Sequence, residues 1–317
     1  MSDNLILVGT GLMAGEYAKV LLAEKIPFTA VGRGEASAAK FEEKWGVHPV
    51  CGGCEEYLKN HPAPESAIVA VGVEALEGVI RQLLQHGCRR ILVEKPGGIS
   101  RTGMLANVEL AKKCGAAVLV AYNRRFYNST IQARRIIEED GGIRCVAFDF
   151  TEWSHRLCNI VKGPGVMDFW FCANSTHVVD LAFYLAGAPE KIDCFHSGSL
   201  NWHHASAIFA GAGVTKRGAL FSYRADWASA GRWSVIAYTP RRSLILCPME
   251  QLQEQLVGSI QINPIALQDN DDIDFKPGLK KQVAAFLNGE WGEFCTLEEQ
   301  YDMMKVYCEM AGYDFQA

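Results

Sequence analysis

The sequence predicts an α/β protein of two domains, and three observations carry that expectation. The 317 residues exceed what one core comfortably fills. Through residue 121 short apolar runs alternate with helical patterns, the rhythm of βαβ units in a parallel sheet. From Tyr122 strands mostly follow one another directly, which requires an antiparallel or mixed sheet and an α+β domain over 122–317.

In the domain spanning 1–121, strands are expected at Leu5–Val8, Phe28–Val31, Ser66–Val71, Arg90–Glu94 and Ala117–Ala121. Helices fall between them at Met13–Ala23, Glu35–Trp45, Ala75–His86 and Arg101–Cys114, and Gly46, Gly87 and Gly115 supply left-handed closing residues. The second domain reads as a helix at Ser129–Glu139 and strands at Ile143–Trp153, Lys191–His196, Ala205–Ala210, Ala219–Ala228, Trp233–Tyr238 and Ser243–Cys247. A helix at Asn174–Leu185 interrupts them, stopped by Gly187-Ala188-Pro189. Helices at Leu279–Asn288 and Leu297–Ala311 end the chain, the latter with Thr296 and Glu299 as a capping box.

With 49% apolar and 21% charged residues the chain has enough apolar surface to fold. Its formal charge of −5 provides no basic face for duplex nucleic acid. The run after Met1-Ser2-Asp3-Asn4 is broken by glycine too early for a signal peptide, and Ala67–Val73 and Ala116–Ala121 are too short to span a bilayer, so no membrane partner is expected. Eleven scattered cysteines read as reduced thiols and a cytoplasmic location. No metal site is expected. Cys51-Gly52-Gly53-Cys54 has no second pair and no histidine at zinc spacing. Adjacent His203 and His204, read as part of a strand, would face opposite sides, and Asp269–Asp272 lacks the glycine and final glutamate of a calcium loop, so it reads as a solvated turn.

Gly9-Thr10-Gly11-Leu12-Met13-Ala14 follows a buried strand and opens a helix. Gly9 permits the tight turn, Gly11 lets a pyrophosphate approach the backbone, and Ala14 lets helix and strand pack while helix-terminal N–H groups face the phosphates. The motif predicts a dinucleotide, NAD or NADP. An acid at the end of the second strand would accept hydrogen bonds from the adenosine ribose, but the chain reads Val31-Gly32-Arg33-Gly34. Arg33 suits a 2′-phosphate, so NADP is favoured over NAD, with Glu35 the opposing charge two residues on. Val71 and Glu94, at the ends of the third and fourth strands, complete the expected cofactor contacts with Lys95 and Asn123.

Glu94-Lys95-Pro96 ends a strand at the rim where open α/β sheets bind ligands, with Pro96 a candidate for a cis bond. A lysine there can hydrogen-bond a substrate hydroxyl and stabilise the charge developing on its oxygen. Asn123 and Arg124 follow the fifth strand and are placed to touch the nicotinamide ribose or a substrate oxygen. Trp153-Ser154-His155-Arg156 leads through Gly163-Pro164-Gly165 to Trp170 and Phe171; aromatic faces suit a sugar ring, and Arg156 or Lys162 suits a phosphate or carboxylate.

The glycine turn, Val93-Glu94-Lys95-Pro96, Tyr122-Asn123-Arg124-Arg125-Phe126 and His177-Val178-Val179-Asp180-Leu181, in this order and spacing, resemble the glucose-fructose oxidoreductase/inositol dehydrogenase/MocA family along essentially the whole chain. The resemblance implies an N-terminal Rossmann parallel sheet, a C-terminal α+β domain with an open, mostly antiparallel sheet, and often a homo-oligomer, dimer or tetramer, built through that sheet. It implies hydride transfer between the nicotinamide and a secondary alcohol or ketone of a sugar, cyclitol or sugar nucleotide. Lys95 would bind substrate and relay the proton, and His177 would be the general acid/base. The aspartate many members carry four residues before that histidine is here Ala173. Asn174, Asp180 and Tyr184 stand at i−3, i+3 and i+7 from His177 and on an α-helix would share its face, as candidates for orienting the imidazole. Asp180 is thus expected among the catalytic residues, and Asn174, Arg124 and Trp153 among those binding substrate. Two further readings stand beside this one: a cofactor-retaining glycoside hydrolase of the same fold, and a non-catalytic NADP-sensing protein, suggested by Ala173.

Overall fold

The computed structural model describes residues 5–267 and 270–314; Asp269, the first residue of the acidic run, and the four residues before Leu5 lie outside them. The chain forms β1 (Leu5–Val8), α1 (Leu12–Ala23), β2 (Thr29–Val31), α2 (Glu35–Trp45), α3 (Gly53–Asn60), β3 (Ser66–Val69), α4 (Leu76–Gln85), β4 (Arg90–Glu94), α5 (Arg101–Cys114) and β5 (Ala117–Ala121). There follow α6 (Asn128–Glu139), β6 (Cys145–Asp149), α7 (Ser154–Leu157), a π-helical turn (Phe171–Ser175), α8 (Thr176–Ala186), β7 (Pro189–Ser197), β8 (Ile208–Thr215), β9 (Leu220–Asp226), β10 (Ser234–Tyr238) and β11 (Arg242–Leu246). The chain continues with β12 (Gln253–Leu256), β13 (Asn263–Pro264), α9 (Asp271–Asp274), α10 (Leu279–Asn288), β14 (Cys295–Thr296) and α11 (Leu297–Ala311). Two compact units result, Met1–Tyr122 with Leu279–Met304, and Asn123–Gly278 with Lys305–Ala317.

The first unit holds a six-stranded sheet in the order β14-β5-β4-β3-β1-β2, parallel except for β14. Every residue of β1 and β3 is buried, as strands covered on both faces must be. The order reverses between β1 and its neighbours β2 and β3, which makes the carboxyl ends of these strands the ligand-binding rim. Gly46, Gly87 and Gly115 take positive φ after their helices. No helix is expected from the sequence at α3, which opens on Gly52 and Gly53 at φ of 100° and 83°. Residues 279–304 return to this unit, so a single cut after residue 121 does not describe the division. There β14 pairs Cys295 with Val120 and Thr296 with Leu119. The capping box forms as expected, Thr296 N donating to Glu299 Oε2 at 2.8 Å and Glu299 N to Thr296 Oγ1 at 3.1 Å.

The second unit holds an eight-stranded sheet in the order β13-β12-β11-β10-β6-β9-β8-β7, antiparallel except for the parallel pair β6 and β9. Alternation sets its two faces: along β9, Phe221, Tyr223 and Ala225 are buried while Leu220, Ser222 and Arg224 are exposed. The buried face carries Phe148, Phe221 and Tyr223 and meets α8 through Phe183, whose ring stands edge-on to Phe148 at 5.7 Å. The expected strand Ile143–Trp153 stops at Asp149, whose Oδ1 accepts from Thr151 N at 2.8 Å and turns the chain toward α7. β12 and β13 were not expected; their short polar stretches alternate too weakly to be read as strands. Pro189 opens β7 rather than merely stopping α8. Among the described residues no helix is long and apolar enough to cross a membrane.

Candidate cofactor site and acid-base cluster

In the first unit Gly9 has φ +126°, and a Cβ there would lie 2.3 Å from the Ala70 carbonyl oxygen, so only glycine fits. A Cβ on Gly11 would meet nothing within 4 Å, which leaves the turn open above the start of α1. Gly11 caps α1 and has no side chain to bond the first N–H groups, which leaves them without a capping oxygen from the N-cap residue. Ala14 is fully buried, and the adjoining Gly15 extends the close packing, since its Cβ would come 2.9 Å from Trp45 Nε1. Leu12 is exposed, Met13 is half-buried, and Val71 N lies 3.4 Å from where a Gly9 Cβ would stand. This cradle fits a dinucleotide pyrophosphate.

At the end of β2, backbone bonds tie Gly32 and Arg33 to the start of α3, Gly53 N donating to Gly32 O at 2.8 Å and Gly52 N to Arg33 O at 3.3 Å. Arg33 is exposed and makes no ion pair with Glu35. Thr10 Oγ1 donates to Ser37 Oγ at 3.0 Å, which places Ser37 beside the glycine turn. Sequence reading missed Ser37; its signal was a hydroxyl in the first turn of the helix after Arg33-Gly34.

At the rim, the Lys95–Pro96 peptide is cis and Lys95 is half-buried. Glu94 Oε1 accepts from Tyr17 OH at 2.9 Å. Burial and that neighbouring carboxylate push the Tyr17 phenol well above its usual range.

In the second unit the π-helical turn breaks the expected spacing before His177. Asn174 thereby leaves the α-helical spacing, whereas His177, Asp180 and Tyr184 all lie on α8, where their i+3 and i+7 spacing keeps them on one face. Asn174 Nδ2 and Ser175 Oγ each donate to Glu152 Oε1 at 2.8 Å. Asp180 accepts from Arg125 through both oxygens, at 2.9 Å from Nε and 2.6 Å from Nη2, and both side chains are largely buried. Tyr184 accepts from Arg134 Nη1. Asp180 and Tyr184 thus belong to an arginine network.

Glu152 is a second residue that the sequence reading missed. It is 3% exposed. Burial raises its pKa, while hydrogen bonds from Ser175 and Asn174 and the charge of Arg232 pull it back. Its signal was an acid placed inside a run read as strand. His177 is 9% exposed and its ring centroid lies 6.0 Å from that of Trp233. Arg124 is half-buried, with its guanidinium 4.7 Å from the Trp233 centroid, and burial lowers its pKa. Trp153 Nε1 donates to Gly231 O at 3.0 Å, and its ring has Arg156 and Arg232 at 4.5 and 4.7 Å.

Other candidates have structural employment. Asn123 is buried and donates to Pro277 O at 2.9 Å. Phe171 packs edge-on to Phe150 at 5.1 Å and Trp170 edge-on to Trp202 at 6.2 Å, so both are core. His203 lies in a turn bridged to Leu200 rather than in a strand, and its ring bonds Ser206 O and Tyr313 OH at 2.7 Å each. The acidic run is not merely a solvated turn, because Asp272 accepts from Asn128 N and Gly278 N at 2.7 Å each. Among the described residues no group of acids, histidines and cysteines is arranged to hold a metal ion.

The parallel sheet and glycine cradle define a Rossmann-type dinucleotide-binding protein. Residues 4–122 match a family described as an oxidoreductase family with an NAD-binding Rossmann fold. That match, to the family model of glucose-fructose oxidoreductase, inositol dehydrogenase and MocA, covers the dinucleotide-binding part of the chain. No curated protein matches the sequence. Solved structures share the fold: UDP-N-acetylglucosamine 3-dehydrogenase from Acidithiobacillus ferrooxidans is 13% identical, with TM-score 0.76 over 99% of this chain and 98% of that one. An NAD-binding oxidoreductase from Klebsiella pneumoniae is 14% identical, with TM-score 0.78 over 99% and 97%. A levoglucosan dehydrogenase in complex with NADH is 15% identical, with TM-score 0.77 over 97% and 95%.

Proposed function

We propose that this protein is an NADP-preferring dehydrogenase or reductase acting on a secondary alcohol or ketone of a sugar, cyclitol or sugar nucleotide. The observation that carries the reading is the Gly9 and Gly11 cradle, closed to any side chain on one side and open on the other. Two proteins of the same fold bear the names of sugar dehydrogenases, which supports the substrate class.

A nicotinamide dinucleotide held on the Gly9–Ala14 turn would supply or accept the hydride. Lys95 donates a hydrogen bond to the substrate oxygen and stabilises its developing charge. His177 takes the hydroxyl proton in oxidation and returns it in reduction. Asp180, through Arg125, fixes the helix that carries His177 and acts by positioning; Asn174, Trp153 and Arg124 bind substrate, and Asn123 supports the backbone between Arg124 and the cofactor-proximal strand end. Arg33 and Ser37 would donate hydrogen bonds to the 2′-phosphate, while Gly32, Val71 and Glu94 would line the nucleotide.

The test follows reduced-cofactor absorbance with NADP or NAD across sugars, sugar acids, inositols and nucleotide sugars. Turnover with at least one is expected; none with any overturns the reading. Lys95→Ala should lower kcat by about 10²- to 10⁴-fold, and unchanged turnover removes Lys95 from the chemistry. Arg33→Asp should invert the cofactor preference, and a preference unmoved by it sinks the NADP assignment. Glycoside cleavage by enzyme that retains its cofactor through purification would replace dehydrogenation with hydrolysis.

We further infer that a second copy covers the exposed face of the eight-stranded sheet, where Phe195 is 69% and Leu220 61% exposed. Sedimentation should show a dimer or tetramer that Leu220→Asp dissociates; a monomeric wild type overturns it. None of the eleven cysteines is in a disulfide, in keeping with a reducing cytoplasm; fractionation of the producing cells checks that location.

A further inference from the structure

Three arginines of the second unit gather on two tryptophans. Arg124 and Arg232 lie 4.7 and 4.4 Å from the Trp233 ring centroid. Arg232 also lies 4.7 Å, and Arg156 4.5 Å, from the Trp153 centroid. Among the described residues, none of the three has a carboxylate within 4.0 Å. Arg232 and Arg156 are exposed and Arg124 is half-buried, whereas the half-buried Arg125 and Arg242 are matched with acids, Arg125 with Asp180 and Arg242 with Asp140 and Glu254. Two acids temper this cluster from beyond ion-pair distance, Glu250 and Glu152, and the Oε1 of Glu152 is already engaged by Asn174 and Ser175. The Nε of Arg124 is buried without a hydrogen-bond partner, an unusual state for a charged donor.

Like charges crowded on aromatic rings repel one another, and the ring faces repay only part of that repulsion. An anion resolves it, because a carboxylate or phosphate offers the in-plane oxygens that guanidinium forks match. The cluster touches the acid-base region directly, since Trp233, which carries Arg124 and Arg232, is also the ring neighbour of His177.

We propose that Arg124 and Arg232 bind an anionic group, carboxylate or phosphate, of the substrate, with the exposed Arg156 on Trp153 as an accessory, so that the substrate is an acidic rather than a neutral sugar. The assignment rests on the dehydrogenase reading and narrows its substrate class. Neutral polyols would leave the guanidiniums unpaired and bind more weakly.

Matched sets of a neutral sugar, its sugar acid and its phosphate ester test the assignment by kcat/KM with saturating NADP. A charged member should be preferred by about tenfold or more, and Arg232→Gln should erase that preference, because a charge-assisted bidentate pair is lost. Arg232→Lys should restore part of it, and Arg81→Gln, altering an exposed arginine of α4, should leave it unchanged. The favoured member distinguishes carboxylate from phosphate. Preference for the neutral sugar, or a preference that Arg232→Gln leaves intact, overturns the proposal while dehydrogenation stands. If nothing turns over, dehydrogenation falls, and calorimetry with malonate and inorganic phosphate on NADP-saturated protein decides the anion site by itself. Binding weakened about tenfold in Arg232→Gln supports it; equal binding, or none, ends it.

Discussion

Asn174 donates its side-chain amide to Glu152 at 2.8 Å, and the carboxyl that receives it is almost wholly withdrawn from solvent. Burial favours the protonated acid, so the folded-state pKa lies above that of the unfolded chain. Below the ordinary carboxyl range both states hold the proton, and stability from this group is complete. As pH rises the unfolded chain ionises first, and that stability is lost by the time the folded pKa is passed. Glu152→Gln keeps the acceptor for Asn174 and Ser175 but cannot ionise. Urea midpoints from about pH 4 to about pH 8 should therefore show wild type losing ground to the variant as pH rises. A difference that stays flat would show that Glu152 does not titrate as argued.

The Asp180–Arg125 pair is doubly hydrogen-bonded and largely buried. Removing one partner strands the other's charge, so Asp180→Ala should destabilise by about 3–5 kcal/mol. Denaturant unfolding measures it, and a loss below about 1 kcal/mol would show the pair to be as weak as a surface bridge.

Gly9 and Gly11 should respond in opposite ways to the same methyl group. Gly9→Ala drives Cβ to 2.3 Å from a backbone oxygen at a φ of +126°, so it should prevent stable folding or lower Tm severely. Gly11→Ala meets nothing within 4 Å and should keep stability within about 1 kcal/mol while weakening NADPH binding about tenfold, as the methyl group crowds the pyrophosphate. Fluorescence titration and thermal melting separate the two, and a Gly9→Ala protein with wild-type Tm would contradict the geometry.

Thiol reactivity should sort by burial. Burial pushes Cys54 up to about 12 and Cys88 up to about 11, whereas Cys158 and Cys247 are exposed. At about pH 8 a thiol reagent should label Cys158 and Cys247 first and reach Cys54 and Cys88 only on unfolding. Early labelling of Cys54, located by peptide mass, would be inconsistent with this environment.

Much of the first unit was legible because its signals are local. β1, β4, β5, α2 and α5 fall where apolar runs and closing glycines place them. The π-helical turn was not, because an assumed 3.6-residue period carried Asn174 onto the face of His177, and one inserted residue undid it. Nor did periodicity show that Cys295 and Thr296 would add an edge to β5, since a two-residue strand exists only through its partner.

The sequence by itself determined the glycine cradle, the helix-strand rhythm up to Ala121 and the Thr296 capping box, because each depends on residues a few positions apart. Tertiary structure alone decided that Glu152 meets Asn174 and that Asp180 meets Arg125, across separations of 22 and 55 residues. Alternation and helical period tell which face is buried, but not which neighbour the fold brings against it. The charge left over on Arg124, Arg156 and Arg232 is decided at that same level.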